Sequence, residues 1–171
     1  MNYNLQKFFR YIWIYGLTRT IVKSIGRLNI YFPIWIFNFF KMPNKNKKNI
    51  AIIGCGQFSF STITFFLSQS NRVSIKWCSD LNIKAAKLLS KSYGIGKILN
   101  KDEINYENID IVYIATSHSS HCEYAIESLK ANCDVYVEKP LVTSWEQFER
   151  LKKVRDLVQK NIFVGYNRPF S

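Results

Sequence analysis

From residue 49 onward, short apolar runs alternate with segments of helical period, and this alternation constrains the fold more than any other feature of the 171 residues. Residues 49–53 read as a strand, 58–70 as an amphipathic helix, 73–78 as a second strand, and 83–93 as a helix closed by Gly94. Residues 95–99 read as a short third strand and 109–115 as a fourth. A helix over 121–131, a fifth strand over 134–137, a helix over 144–159 and a sixth strand over 161–164 complete the pattern. Parallel neighbours need a crossover connection, usually a helix. Repetition at this spacing therefore predicts an α/β fold, a doubly wound parallel sheet with helices on both faces. Ligands on such sheets bind at the carboxyl ends of the strands.

The front of the chain is different. Residues 42–48, Met-Pro-Asn-Lys-Asn-Lys-Lys, read as a linker between an arm, residues 1–41, and the α/β body, residues 49–171. The first 48 residues hold nine lysines and arginines and no acid, so all 12 acids of the chain lie behind them. They also hold twelve of the 27 aromatic residues. The formal charge of +12 is thus largely a property of the arm and not of the body. Residues 3–24 carry apolar positions at helical spacing, and 28–40 read as helix or strand. Basic and aromatic without acid is the profile of a segment lying on a membrane surface. The alternative is a helical arm packed on the body or on a partner. Nothing in the arm matches a nucleic-acid-binding motif, and no nucleic acid partner is expected.

Cys55, Cys78, Cys122 and Cys133 form no C-x-x-C pair and no zinc-like spacing, so they read as core thiols of a reducing compartment. No run approaches the length of a spanning helix, since residues 28–40 are interrupted by Asn29, Pro33 and Asn38. No signal peptide is recognisable. The expected location is cytoplasmic, with peripheral membrane association through residues 1–41.

Three motifs fall at strand ends. Gly54-Cys55-Gly56-Gln57-Phe58-Ser59 follows the first strand as G-x-G-x-x-S. Gly54 suits a tight turn, and Gly56 lets backbone approach a pyrophosphate at the N-terminus of the next helix. Asp80 ends the second strand 24 residues beyond Gly56. A carboxylate there accepts hydrogen bonds from a ribose and repels a 2′-phosphate, which favours NAD over NADP. A plain strand-to-helix turn with a cap near Asn82 is the simpler reading of the same residues. The second motif, Ala115-Thr116-Ser117-His118-Ser119-Ser120-His121, ends the fourth strand. Its H-x-x-H spacing lacks further ligands and implies no metal. Its hydroxyls are also good capping groups. The third motif, Glu138-Lys139-Pro140, ends the fifth strand, where a lysine can stabilise a developing alkoxide or simply pair with its neighbour at the surface.

Taken together, I-I-G-C-G-Q-F-S, Asp80, I-V-Y-I-A-T-S-H-S-S-H, V-E-K-P-L and the closing V-G-Y-N-R-P-F-S resemble the Gfo/Idh/MocA oxidoreductases. The resemblance implies a Rossmann domain in which Gly54, Gly56, Gln57, Phe58 and Ser59 hold the pyrophosphate and Asp80 the adenosine ribose. Ala115, Thr116, Ser117 and His118 would line the nicotinamide side, with His121 behind them. Glu138 and Lys139 would orient the nicotinamide and polarise the substrate carbinol, and Asn167 and Arg168 would lead to the substrate. Among the residues present, Lys139 is the candidate for electrostatic catalysis and His118, or alternatively His121, the candidate base. Pro169 stands where the family usually has a second arginine. The resemblance further implies a C-terminal α/β domain that encloses a sugar, nucleotide-sugar or polyol, and the 171 residues do not include it. The expectation is therefore the cofactor part of a truncated or split enzyme, inactive alone. The alternative is a non-catalytic NAD-binding module tethered to a membrane or partner by its arm.

Overall fold

β1 (Lys48–Ile53) is apolar over Ile50–Ile53, and all four of these residues are buried, because helices cover both faces of the strand. The computed structural model describes residues 3–38 and 46–166. β1 pairs in parallel with β2 (Val73–Ser79) on one side and with β3 (Ile111–Ile114) on the other. β4 (Asp134–Val137) and β5 (Ile162–Val164) continue the sheet beyond β3, giving the order β2-β1-β3-β4-β5 with every pairing parallel. Chain order reverses direction across the sheet between β1 and β3. That is the switch point at which loops diverge and leave a crevice.

Alternation along the strands sends side chains to two cores. Ala51, Ile53, Val112, Ile114, Val135 and Val137 pack with α5 (His121–Lys130) and α6 (Trp145–Leu157). Ile50 and Ile52 face the opposite way, toward Phe60, Phe65, Ala86 and Leu89. These come from α3 (Thr64–Gln69), the π-helical turn Ser59–Ile63 before it, and α4 (Ile83–Tyr93). Capping fixes the helix ends. The Asn82 side chain accepts from the Lys84 and Ala85 amides at the start of α4, and Gly94 closes it in the left-handed conformation at φ 70°. Ser144 accepts from the Gln147 amide at the start of α6.

Two expectations are corrected. Residues 95–99 form no strand; Ile98 makes a single parallel bridge to Cys78, and Leu99 N–H donates to the Cys78 carbonyl at 3.0 Å. The segment lies where a sixth strand at the β2 edge would lie, but it pairs there through one bridge alone. The helix expected over 3–24 is two helices, α1 (Tyr3–Tyr15) and α2 (Leu17–Leu28), parted by Gly16 at φ 80°. Of residues 28–40, the described part turns through Asn29 at φ 53° into a short 3₁₀ turn, Ile34–Asn38. The first part of the linker, residues 42–45, lies outside the described residues, as do Asn167, Arg168 and Pro169.

The arm joins the second core. Val22 and Ile34 are each 1% exposed and sit with Ile50, Ile52 and Phe60. Gly26 lets α2 lie directly on the ring of Phe60, where a Cβ would come within 2.7 Å of its Cδ1. Trp35 lies over Gly94 at the end of α4. α1, by contrast, leaves Leu5, Phe8, Phe9, Trp13 and Ile14 exposed.

Candidate dinucleotide site

The glycine turn is built by the tips of three strands. Gly54 stands at φ 94°, and its N–H donates to the Ser79 carbonyl at the end of β2, 2.8 Å away. A Cβ at Gly54 would meet the Ala115 carbonyl oxygen at 2.3 Å and the Thr116 nitrogen at 2.8 Å, so the turn presses directly on the end of β3. Gly56 is the opposite case: a Cβ there would point into open space. Gly54 therefore serves the packing of the turn, and Gly56 leaves bare backbone facing a cavity. Gln57 and Phe58 are exposed on the first turn of the following helix, whose leading amides have no partner within the helix. Ser59 is buried and donates its hydroxyl to the Gly54 carbonyl at 2.5 Å. The hydroxyl thus stitches the turn shut at a position where a larger side chain would not fit.

Asp80 holds this turn from the β2 side. Its Oδ2 accepts the Cys55 N–H at 2.6 Å, and its Oδ1 accepts the Asn82 N–H at 2.7 Å. Each oxygen keeps a further lone pair for another donor. Hydrogen bonding to Cys78, then burial, then the nearby Asp80 charge push the Cys55 thiol up, so it stays protonated and unreactive.

Beyond β3 the chain forms a hydroxyl-rich turn. The Thr116 and Ser120 hydroxyls lie 2.8 Å apart, and Ser120 Oγ donates to the Ser117 carbonyl at 2.9 Å. His118 is exposed, its ring 5.8 Å from that of His121. His121 is only 1% exposed. Its Nδ1 is 2.7 Å from the Pro140 carbonyl and its Nε2 is 3.2 Å from the Thr116 carbonyl. Both ring nitrogens face acceptors, so His121 ties the turn after β3 to the turn after β4. No metal-ligating cluster of three groups forms among the described residues.

At the end of β4, the Glu138 carboxylate accepts the Tyr136 hydroxyl at 2.8 Å. A Cβ at Gly165 would lie 2.6 Å from Glu138 Oε1 and 2.5 Å from Tyr136 Oη, so Gly165 is the floor on which this pair rests. Tyr136 stacks on Tyr113 with centroids 4.9 Å apart, and burial together with the Glu138 bond pushes its hydroxyl well above the usual tyrosine range. Tyr136 and Gly165 were missed in the sequence. The available signal was that Tyr136 shares a strand face with Glu138 two residues on. Lys139 is exposed and precedes Pro140 through a cis bond.

Gly56, Asp80, Ala115, Thr116 and Ser117 line one crevice of about 520 Å³ at the switch point. Gly54 and Ser59 lie beneath it as supports, with Gln57 and Phe58 on its helix turn. His118, Glu138 and Lys139 are not part of its lining, and His121 is enclosed behind it. Bare backbone at Gly56, a carboxylate at the β2 tip and a cavity between them fit an extended dinucleotide.

A family of oxidoreductases with an NAD-binding Rossmann fold matches residues 48–166. Inositol 2-dehydrogenase of Azotobacter vinelandii is 27% identical over 130 residues, covering 72% of this chain and 38% of that protein. The crystal structure of myo-inositol 2-dehydrogenase from Lactobacillus plantarum superposes with a TM-score of 0.67 at 23% identity, over 73% of this chain and 38% of that one. WlbA dehydrogenase of Bordetella pertussis, crystallised with NADH and UDP-GlcNAcA, is 25% identical with a TM-score of 0.64, over 72% and 36%. The matched part therefore spans well under half of each of these relatives.

Proposed function

The chain belongs to the Gfo/Idh/MocA oxidoreductase family, and on that premise we propose that it is the cofactor-binding part of an NAD-dependent enzyme acting on a CH–OH group of a sugar, nucleotide-sugar or polyol. The observation that carries this reading is the pairing, around one crevice, of open backbone at Gly56 with the Asp80 carboxylate. Gly54 and Ser59 keep the turn tight, and the amides from Gly56 to Phe58 present donors to a pyrophosphate at the helix start. Asp80 accepts a ribose hydroxyl while its other bonds hold the turn in place; its charge opposes a 2′-phosphate, which favours NAD over NADP. Ala115, Thr116, Ser117 and His118 border the nicotinamide side, with His121 fixing the loop from behind.

The chemistry supplied by a bound nicotinamide is hydride acceptance or delivery at the carbinol carbon. Glu138, held by Tyr136, orients the carboxamide edge, and the exposed Lys139 ammonium stabilises negative charge on the substrate oxygen. His118 lies on the same turn as Thr116 and Ser117, its imidazole exposed, and is the candidate proton acceptor. Enclosure of the substrate belongs, on this reading, to the part of the relatives that the match does not cover. Calorimetric titration tests the cofactor claim. NADH should bind saturably and more tightly than NADPH. Absence of heat with both dinucleotides would refute it, and tighter NADPH binding would overturn the assignment of Asp80.

A further inference from the structure

α1 carries Leu5, Phe8, Phe9, Ile12 and Trp13 at i, i+3, i+4, i+7 and i+8, which is one face of a helix. Such a face normally lies against a body. Here Leu5, Phe8 and Phe9 are exposed, and Trp13 is 89% exposed. Leu17 and Ile21, one turn apart on α2, are exposed too. The hairpin does not need this stripe to hold its place, because α2 is already seated on the body through Val22 and Gly26.

Charge narrows the choice of what covers the stripe. The first 48 residues contain nine cations and no anion. Two of them are held at the seam between α1 and α2: Lys23 Nζ lies 4.5 Å from the Tyr11 ring centroid, and the Arg19 guanidinium 4.8 Å from those of Tyr15 and Phe66. Between the two helices, Lys7, Lys23 and Arg27 line a groove of about 210 Å³ together with the Thr20 and Ser24 hydroxyls. A second copy of the chain would set these cations against their own kind. A nucleic acid would leave the apolar stripe in water. An anionic bilayer offers both phosphates and an acyl boundary. With 13 residues, α1 is about 20 Å long, too short to cross a bilayer and suited to lying in its plane. None of the described helices is long and apolar enough to span one.

We propose that α1 and the start of α2 dock on an anionic phospholipid surface, with the stripe at the acyl boundary and the cations at the phosphates. The proposal is independent of the dinucleotide reading. The full chain is sedimented with vesicles of phosphatidylcholine, alone or with a quarter phosphatidylglycerol, at low and high salt. It should pellet with the anionic vesicles and be partly released by salt. The double variant Phe9→Ser/Trp13→Ser should weaken partitioning about ten-fold or more. Removing Arg10 and Lys23 charges as glutamine should weaken it about five-fold each. The thermal unfolding midpoint of the double variant should match the parent, since its side chains are exposed. Failure to pellet, equal pelleting with both lipids, or a double variant that pellets like the parent would each overturn the proposal. So would a lipid-independent dimer abolished by the double variant, or salt-sensitive retention on single-stranded nucleic acid, if either occurred without vesicle binding.

Discussion

In β1, Ile50, Ala51, Ile52 and Ile53 are each at most 1% exposed, whereas in α1 the apolar face from Leu5 to Trp13 meets solvent along most of its length. The apolar run of β1 is continuous, the mark of a strand covered on both faces, whereas the apolar residues of α1 recur at the helical period and mark one face. Both patterns are readable in the sequence. Neither tells what lies against the apolar surface. The strand finds its partners on α3 to α6 of the same chain. The helix has the same need, and among the described residues α2 is its main neighbour. The two regions also divide the chemistry: one presents bare backbone and a carboxylate, the other cations and aromatic rings.

The largest expected effect breaks the first region. Gly54→Val places a side chain on the Ala115 carbonyl at a positive φ and should cost about 3 kcal/mol or more, read from urea unfolding. Next comes the point where the regions meet. Ile34→Ala empties a fully buried site in the second core and should cost roughly 2–4 kcal/mol. A value near zero would mean that the arm is not part of the folded body. Asp80→Asn should weaken NADH binding about 10- to 100-fold and narrow the margin over NADPH. Unfolding of this variant, followed in parallel, separates loss of the ribose contact from loosening at Cys55 and Asn82.

A smaller effect concerns the cysteines. Cys55, Cys78, Cys122 and Cys133 are all buried and free, and the thiols of Cys55, Cys122 and Cys133 are pushed up, burial being the leading cause for the last two. They should react with a thiol reagent only as the protein unfolds. Groups whose values are raised in the folded state contribute fully below their unfolded value and lose that contribution above it. The cysteines' contribution to stability should therefore be constant below about pH 8.5 and be lost as the pH rises from there toward their raised folded values. The smallest effect is Trp13→Ser, within about 0.5 kcal/mol of the parent, because the ring touches little of the protein.

The strands and helices of the body were legible because the strands are short apolar runs, the helices carry apolar residues at helical spacing, and glycines or caps separate several of them. The helix at Ile83–Tyr93 and the strand at Asp134–Val137 coincide with their expected bounds. Residues 95–99 were misread because an apolar run states a preference for extended backbone without stating how many partners the sheet edge offers. Gly16 was visible, but its break depends on a positive φ that only the folded hairpin demands. At the site, the glycines and Asp80 could be found by spacing. The enclosure of His121 and the seating of Tyr136 and Glu138 on Gly165 could not, since they join residues 19 to 29 positions apart.

The dinucleotide crevice, and not the basic hairpin, is where this chain is expected to meet a nucleotide. The most direct measurement is an amide NMR titration of the full chain with NADH. Resonances of Gly54, Gly56, Asp80, Ala115 and Thr116 should shift together and saturate, while those of α1 stay in place. Shifts confined to Lys7, Arg10, Lys23 and Arg27, with the glycine turn unmoved, would contradict it.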